Sequence, residues 1–221
     1  MYFILYSFFF HLGKELRMSN MRLIIQFILE LRDFYYYICM QKITPNNFKE
    51  ILQLDDISNM HFIGIDLSGQ SLSRKNFISC RFEKCNLSNI ILKDTTLNDV
   101  SFQSCKILWA KFSEISQMLS HFNFYDCIVM LCSFFGLTLK GIGFEDCEIQ
   151  ESDFTNALLE NAKFSYCDLE KSTFVWCNLK NADFIGSYNF IIDPVFNKFS
   201  KTKFSRENCI WLLQNLDIII E

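Results

Sequence analysis

The sequence predicts a repeat fold of the solenoid kind, and three observations predict it. Large apolar residues recur every five positions over more than half of the 221-residue chain. A second position, two residues before each large one, holds small side chains again and again. Phe occurs 25 times while Gly (7) and Pro (2) are scarce, so the fold takes many rings and turns its corners without glycine. A period of five fits neither an amphipathic helix nor a strand. It demands a chain that turns after each unit and sends one large side chain inward per unit.

Residues 1–59 precede the repeats as a partly helical extension. Residues 2–10 are apolar but too short to span a bilayer. They lack the basic start and small-residue cleavage site of a secretory signal. Residues 21–40 are interrupted by Arg22, Gln26, Glu30, Arg32 and Asp33, while Leu23, Phe27, Ile28 and Leu31 share one face of an amphipathic helix. Three readings stay open: a membrane-surface helix, an extension that covers the end of the repeats, or a biological start at Met18, Met21 or Met40. Residues 45–54 are expected to form one or two helical turns.

The repeats occupy residues 60–190. The large positions run from Phe62, Leu67, Leu72 and Phe77 to Phe112, slip by two residues at 113–118, and resume at Leu119 through Phe184. The small position reads Cys80, Cys85, Cys105, Ala110, Cys127, Cys132, Cys147, Ser152, Ala157, Ala162, Cys167, Ser172, Cys177, Ala182. Eight of the ten Cys lie on it, and only Cys39 and Cys209 do not. Buried Cys behaves as a small hydrophobe. No C-x-x-C pair occurs and His11, His61 and His121 are far apart, so neither disulfides nor a metal site is expected. Free thiols favour a reducing compartment, hence the cytoplasm.

The units at 157–161, 162–166, 167–171 and 182–186 resemble the pentapeptide-repeat motif A-(D/N)-(L/F)-x-x. That resemblance implies an all-β fold, a right-handed quadrilateral β-helix with one unit per face and a rod of roughly 30 Å at the usual strand spacing. From Phe124 to Phe184, Phe alternates with Val, Ile or Leu. With four faces, Phe124, Phe144, Phe164 and Phe184 stack on one face, and Phe134, Phe154 and Phe174 on the opposite one.

Residues 191–221 end the chain as a cap. Ser205 is placed to cap a helix over 206–215, with Cys209, Leu212, Leu213 and Leu216 on its apolar side. Ile218, Ile219 and Ile220 suit a short final strand. With Asp193-Pro194, Asn197 and Lys203-Phe204-Ser205, this block resembles the C-terminal module of the Qnr and MfpA branch of pentapeptide-repeat proteins and their chromosomal relatives. That implies a homodimer joined through Cys209, Leu212, Leu213, Leu216, Ile218 and Ile220; the alternative is a simple cap on a monomer. The two-residue slip is similar to the loopless members of that branch.

The formal charge of −4 is unevenly placed: residues 62–113 carry net +3 and residues 114–190 net −7. The acidic half favours a basic partner and disfavours direct contact with nucleic acid. There is no Gly-rich phosphate loop, nucleophile elbow or zinc pattern, so no catalytic residue, metal or cofactor is expected and the chain is not read as an enzyme. With twenty residues per coil, Lys140, Glu160 and Lys180 alternate in sign, Glu151 meets Lys171, and Lys163 meets Asp183. Asp126 instead stacks with Asp146 and Glu148 with Asp168, while Glu145 and Glu170 lack a basic neighbour one coil away. These six carboxylates are the predicted partner-binding stripe. The resemblance implies the partner: Qnr and MfpA proteins are bacterial DNA mimics that bind DNA gyrase and topoisomerase IV and protect them from quinolones. A second reading is a protein-interaction scaffold with another partner, and a third adds membrane association through residues 1–40.

Overall fold

The computed structural model describes residues 40–118 and 120–213. The expectations for residues 1–39 of the extension, the membrane-surface helix among them, and for the final strand lie outside these residues. From Gln41 onward the chain forms one compact unit.

Short parallel strands stack coil upon coil in this unit. Gly143–Glu145 pairs with Lys163–Ser165, and Arg81–Glu83 with Ser101 to Gln103, so each residue meets the one twenty positions later. Twenty residues per coil in five-residue steps give four inward ladders. One ladder runs Ile43, Phe62, Phe82, Phe102, Phe124, Phe144, Phe164, Phe184, Phe204. Its nine rungs make about eight coils, roughly 38 Å tall at about 4.8 Å per coil.

The stack reaches beyond the five-residue pattern at both ends. Ile43 pairs with Phe62 and Ile57 with Phe77, and both isoleucines are fully buried. At the other end Thr173–Phe174 pairs with Ile191–Ile192, and Asp183–Phe184 with Lys203–Phe204. Pairing continues there although unit length changes: Phe62 lies nineteen residues after Ile43, and Ile191 eighteen after Thr173. A strict lattice therefore misses these coils. The short helix Phe48–Ile51 lies within residues 45–54.

The core is built from rings. Phe134, Phe154 and Phe174 stack face to face at 4.8 Å, as do Phe124 and Phe144 on the opposite ladder. The two columns meet edge to face: Phe144 lies 5.8 Å from Phe134 at 89° and 6.0 Å from Phe154 at 87°. This herringbone suits the ring quadrupole, which prefers such geometry to a face-to-face sandwich between columns. The expected alternation of Phe faces is thus present from Phe124 to Phe184; one column alone continues from Phe62 to Phe204, while the opposite ladder carries Leu72 and Leu92 before Phe112 and Ile192 after Phe174.

The small inward position does a second job. Ser172 and Ser187 donate hydrogen bonds to the carbonyls of Ile149 (2.7 Å) and Phe164 (2.6 Å), and Thr95 to Leu72 (2.8 Å), each on the preceding coil. The thiols of Cys85, Cys105 and Cys127 point at the equivalent carbonyls of Phe62, Phe82 and Phe102. Their recurrence reflects a donor requirement as well as size, because a buried carbonyl gains from a partner. The eight core cysteines are buried free thiols. Burial pushes the Cys132 and Cys177 thiols up to about 12. Larger side chains also occupy this position where there is room: Ile90, Val100, Phe122, Leu137 and Ile142 are all buried.

Most corners place a residue in left-handed backbone two positions after the large one, as at Asn89 (φ 57°), Asp126 (52°), Asn156 (62°) and Lys171 (56°); the 3-10 turn ending at Glu114 is an exception. This conformation costs roughly 1–2 kcal/mol for an L-residue, least for Asn and Asp. The residue just before the large one often braces the turn: Asp66, Asp153, Asp168 and Asp183 each accept a hydrogen bond from the backbone N–H two residues on. Gly186 (φ 80°) has a further reason to be glycine, since a Cβ there would lie 2.5 Å from the Tyr166 ring.

The slip is absorbed within one coil. Twenty-residue spacing still holds at Ser116, whose N–H bonds the Thr95 carbonyl, so the two extra residues fall after the 3-10 turn at Phe112–Glu114 and before His121; the register shifts between Asn98 and Val100, and Ile107 pairs with Val129. Phe122 fills the widened interior and stacks on Phe112 at 5.6 Å.

The C-terminal helix expected over 206–215 is replaced, among the described residues, by a 3-10 turn at Cys209–Leu213. Ser205 does not cap it with its side chain. Its carbonyl accepts the N–H groups of Asn208 and Cys209 at 3.1 Å, and its hydroxyl has no partner among the described residues. Asn208 is tied to the Ser187 carbonyl (2.6 Å) and Leu212 packs on the core, which holds this segment against the last coil as a tight turn.

Candidate functional site

The sequence places six carboxylates on one stripe, and the coils bring all six to two adjoining faces of the stack that meet at the Asp126 and Asp146 corner. Asp126 and Asp146 occupy successive corner positions, both with φ 52°. Glu145 ends the strand before that corner, and Glu148 opens the next face, one rung below Asp168. Glu170 lies two residues beyond Asp168 on the same face. The stripe therefore covers three consecutive coils of the C-terminal half. Five of the six are exposed, and Asp168 is half-buried.

Their surroundings divide them. Asp168 accepts hydrogen bonds from Gln150 (2.7 Å), Asn189 (2.8 Å) and the Glu170 backbone (3.2 Å), so its carboxylate braces the fold. Asp126 accepts the Ser104 hydroxyl of the preceding coil at 2.8 Å. Glu170 lies 3.5 Å from Lys171, a neighbour in sequence that a twenty-residue comparison passes over. Glu145, Asp146 and Glu148 are left as the outward-facing acids at the centre of the stripe. The negative field is felt nearby: burial raises the Tyr188 phenol and Asp168 and Glu148 raise it further, and burial followed by Glu145 does the same to Tyr125.

The expected charge ladders are present with one change. Lys140 meets Glu160 at 2.7 Å and Lys171 meets Glu151 at 4.0 Å. The hydrogen bond from Lys140 holds the Glu160 carboxyl below its ordinary value. Asp183, aligned with Lys163, takes its ion pair from Lys203 at 3.1 Å instead.

Of the residues expected to join two copies, Cys209 and Leu213 are exposed and Leu212 packs on the core. Leu216, Ile218 and Ile220 lie outside the described residues. Apolar side chains of the C-terminal segment are also exposed, including Val195, Phe196 and Ile210.

A second surface escaped the reading of the sequence. Trp109 (53% exposed), Leu131 and Ile128 project outward on the coil of Asp126 and the coil before it, with Ile128 one rung below Glu148. The signal was available, since these large apolar residues fall off both inward positions of the five-residue pattern. Among the described residues no group of His, Cys, Asp and Glu is arranged to hold a metal ion, and no helix is long and apolar enough to cross a membrane.

No curated protein matches the chain. Among solved structures it is similar to QnrB1, a plasmid-mediated fluoroquinolone resistance protein, with 21% identity, 75% of this chain and 90% of that one covered, and a TM-score of 0.45. It is also similar to HetL, a pentapeptide repeat protein involved in heterocyst differentiation regulation from the cyanobacterium Nostoc sp. strain PCC 7120, with 11% identity, 76% and 89% covered, and a TM-score of 0.28. A pentapeptide repeat protein from the Arabidopsis thaliana thylakoid lumen shows 19% identity over 68% of this chain and 76% of its own, with a TM-score of 0.23. Residues 55–118 and 115–184 match the family described as the pentapeptide repeat region, well over half of the sequence. The five-residue lattice, the four inward ladders and this match agree: the chain belongs to the pentapeptide-repeat family.

Proposed function

We propose that this protein is a non-enzymatic binding module that presents its acidic stripe to a basic, DNA-binding groove, with bacterial DNA gyrase or topoisomerase IV as the partner and quinolone protection as the outcome. One observation carries the reading. Six carboxylates over three coils of about 4.8 Å, one of them paired with Lys171, amount to one net negative charge per roughly 2.9 Å, against one per about 1.7 Å of duplex DNA. A groove that follows duplex charge meets a comparable density here on a rigid support. The basic stretch at 62–113 repels such a groove, so the partner engages the C-terminal half. The resemblance of residues 193–205 to the Qnr and MfpA module supports the choice of partner and a homodimer through Cys209, Leu212, Leu213, Leu216, Ile218 and Ile220. Sedimentation at micromolar concentration tests the dimer; only the 26.2 kDa species would remove it.

The test of the stripe is charge reversal at Glu145, Asp146 and Glu148, with Asp168 left in place because it braces the fold. Lys is tolerated at the corner, as Lys84 and Lys171 already hold left-handed backbone. The triple variant folds normally and loses affinity for purified gyrase. Unchanged affinity would refute the stripe. A second reading, a scaffold for a different protein, is favoured by the exposed apolar side chains beside the stripe.

A further inference from the structure

We infer that the surface formed by Leu108, Trp109, Ile128, Met130 and Leu131 is a docking site for a basic amphipathic segment of a protein partner. The inference goes beyond the choice of topoisomerase and holds for any protein that carries such a segment.

Successive coils assemble the patch. Leu108 pairs in register with Met130, and Lys106 with Ile128. The Trp109 N–H bonds the Met130 carbonyl (3.1 Å), which sets Trp109 one coil below Leu131 at the same corner. Ile128 and Met130 alternate with the inward Val129, so both face outward on one strand. Five apolar side chains thus share one face and its corner, with Trp109, Leu131 and Ile128 exposed by 53%, 38% and 37%.

The folded chain gains little from these residues where they stand. Trp109 (φ 54°) and Leu131 (φ 56°) both hold left-handed backbone, the conformation least suited to bulky side chains. The same corner is held by Gly69 and Asn89 on the coils before and by Glu151 and Lys171 on the coils after. Glycine or Asn suits the corner better and leaves no apolar surface in water. An exposed indole at a disfavoured backbone position points to a use outside the fold, where Trp is the side chain that most often anchors a protein contact.

The border of the patch specifies the occupant. One rung further along the stack, Glu148 replaces Ile128 and Glu151 replaces Leu131. Asp168 and Glu170 follow on the next coil, where Lys171 lies 3.5 Å from Glu170 and 4.0 Å from Glu151, which leaves Glu148 and Asp168 as the border acids with no Lys or Arg at ion-pair distance among the described residues. On the opposite side, Lys106 lies below Ile128. A helix with leucine-like residues along one stripe and Lys or Arg along its flank covers the apolar patch and meets the acidic rungs together. A partner offering charge alone leaves Trp109 and Leu131 in water.

The test uses the full chain and two fluorescein-labelled synthetic probes of about 18 residues, five helical turns. One is a Leu/Lys peptide with its leucines on one helical face; the other is a scramble of the same composition. Anisotropy is expected to show tighter binding of the amphipathic peptide. Trp109→Asn with Leu131→Asn is expected to weaken it by at least about tenfold, as loss of an anchor does, with thermal stability unchanged or raised. Ile128→Thr, a conservative change on a strand face, weakens it in the same direction. Glu148→Gln with Glu151→Gln weakens it at low salt and has less effect at high salt. Equal binding of the scramble, or full affinity in both the Asn and the Thr variants, would overturn the docking site. So would wild-type protein that ignores the peptide and partitions onto vesicles of phosphatidylserine and phosphatidylcholine.

Discussion

Replacing Phe154 by Ala removes the ring at the centre of the herringbone. Phe154 is fully buried, stacked at 4.8 Å between Phe134 and Phe174, and meets Phe144 and Phe164 edge-on at 6.0 and 5.6 Å. Deleting a buried Phe side chain costs about 3–5 kcal/mol, the sum of lost transfer energy and a cavity that neighbours fill only in part. Four ring contacts, each worth about 0.5–1.5 kcal/mol beyond area, place the expected loss toward the upper end. The neighbours cannot relax inward easily, because each ring is itself held by rings on the coils above and below. Phe154→Leu, which puts an aliphatic side chain where the adjacent ladders already carry one, is expected to cost less, about 1–1.5 kcal/mol. Urea unfolding followed by circular dichroism measures both. A Phe154→Ala loss below about 2 kcal/mol would refute the view that the interlocked columns hold the coils together.

Three further outcomes follow from other sites. In native protein at pH 8, Cys209, which is exposed, reacts with a thiol reagent without unfolding, whereas Cys132 and Cys177, both raised to about 12 by burial, react only after denaturant is added; mass spectrometry of the labelled peptides distinguishes them. Gly186→Ala drives a Cβ into the Tyr166 ring and forces alanine into φ 80°, with an expected cost of about 1–3 kcal/mol, and adding Tyr166→Ala restores part of it in a double-mutant cycle. Glu160 is held below its ordinary value of 4.5 by Lys140, so its contribution is present above 4.5 and disappears as pH falls through its lower folded value; Glu160→Gln therefore has a shallower loss of stability on acidification, measured by urea midpoints across that range.

Much of the interior was legible because one rule governs it. A corner after each unit allows a single large inward side chain, so Phe124 to Phe184 declare their faces by spacing alone. The ends were less legible. Ile43 and Ile192 extend the stack through coils of altered length, where backbone pairing rather than spacing keeps register. Ser205 reads as a helix cap in isolation, yet its carbonyl does the capping because Asn208 and Leu212 tie the segment to the last coil. The acidic stripe was legible as a set of positions, but the division of labour within it was not. Asp168 is bound by Gln150 and Asn189, partners eighteen and twenty-one residues away that a comparison at twenty overlooks. Trp109 and Leu131 were hidden for a related reason: attention to the inward positions passes over what stands at the corners.

The central claim is that the acidic coils act on a topoisomerase. It is tested most directly by measuring supercoiling by purified bacterial DNA gyrase in the presence of ciprofloxacin while this protein is titrated from nanomolar to micromolar. Restored supercoiling with wild-type protein, and none with the Glu145, Asp146 and Glu148 charge-reversal variant, is the predicted result. Supercoiling that stays blocked at every concentration, or rescue that survives charge reversal, would contradict it.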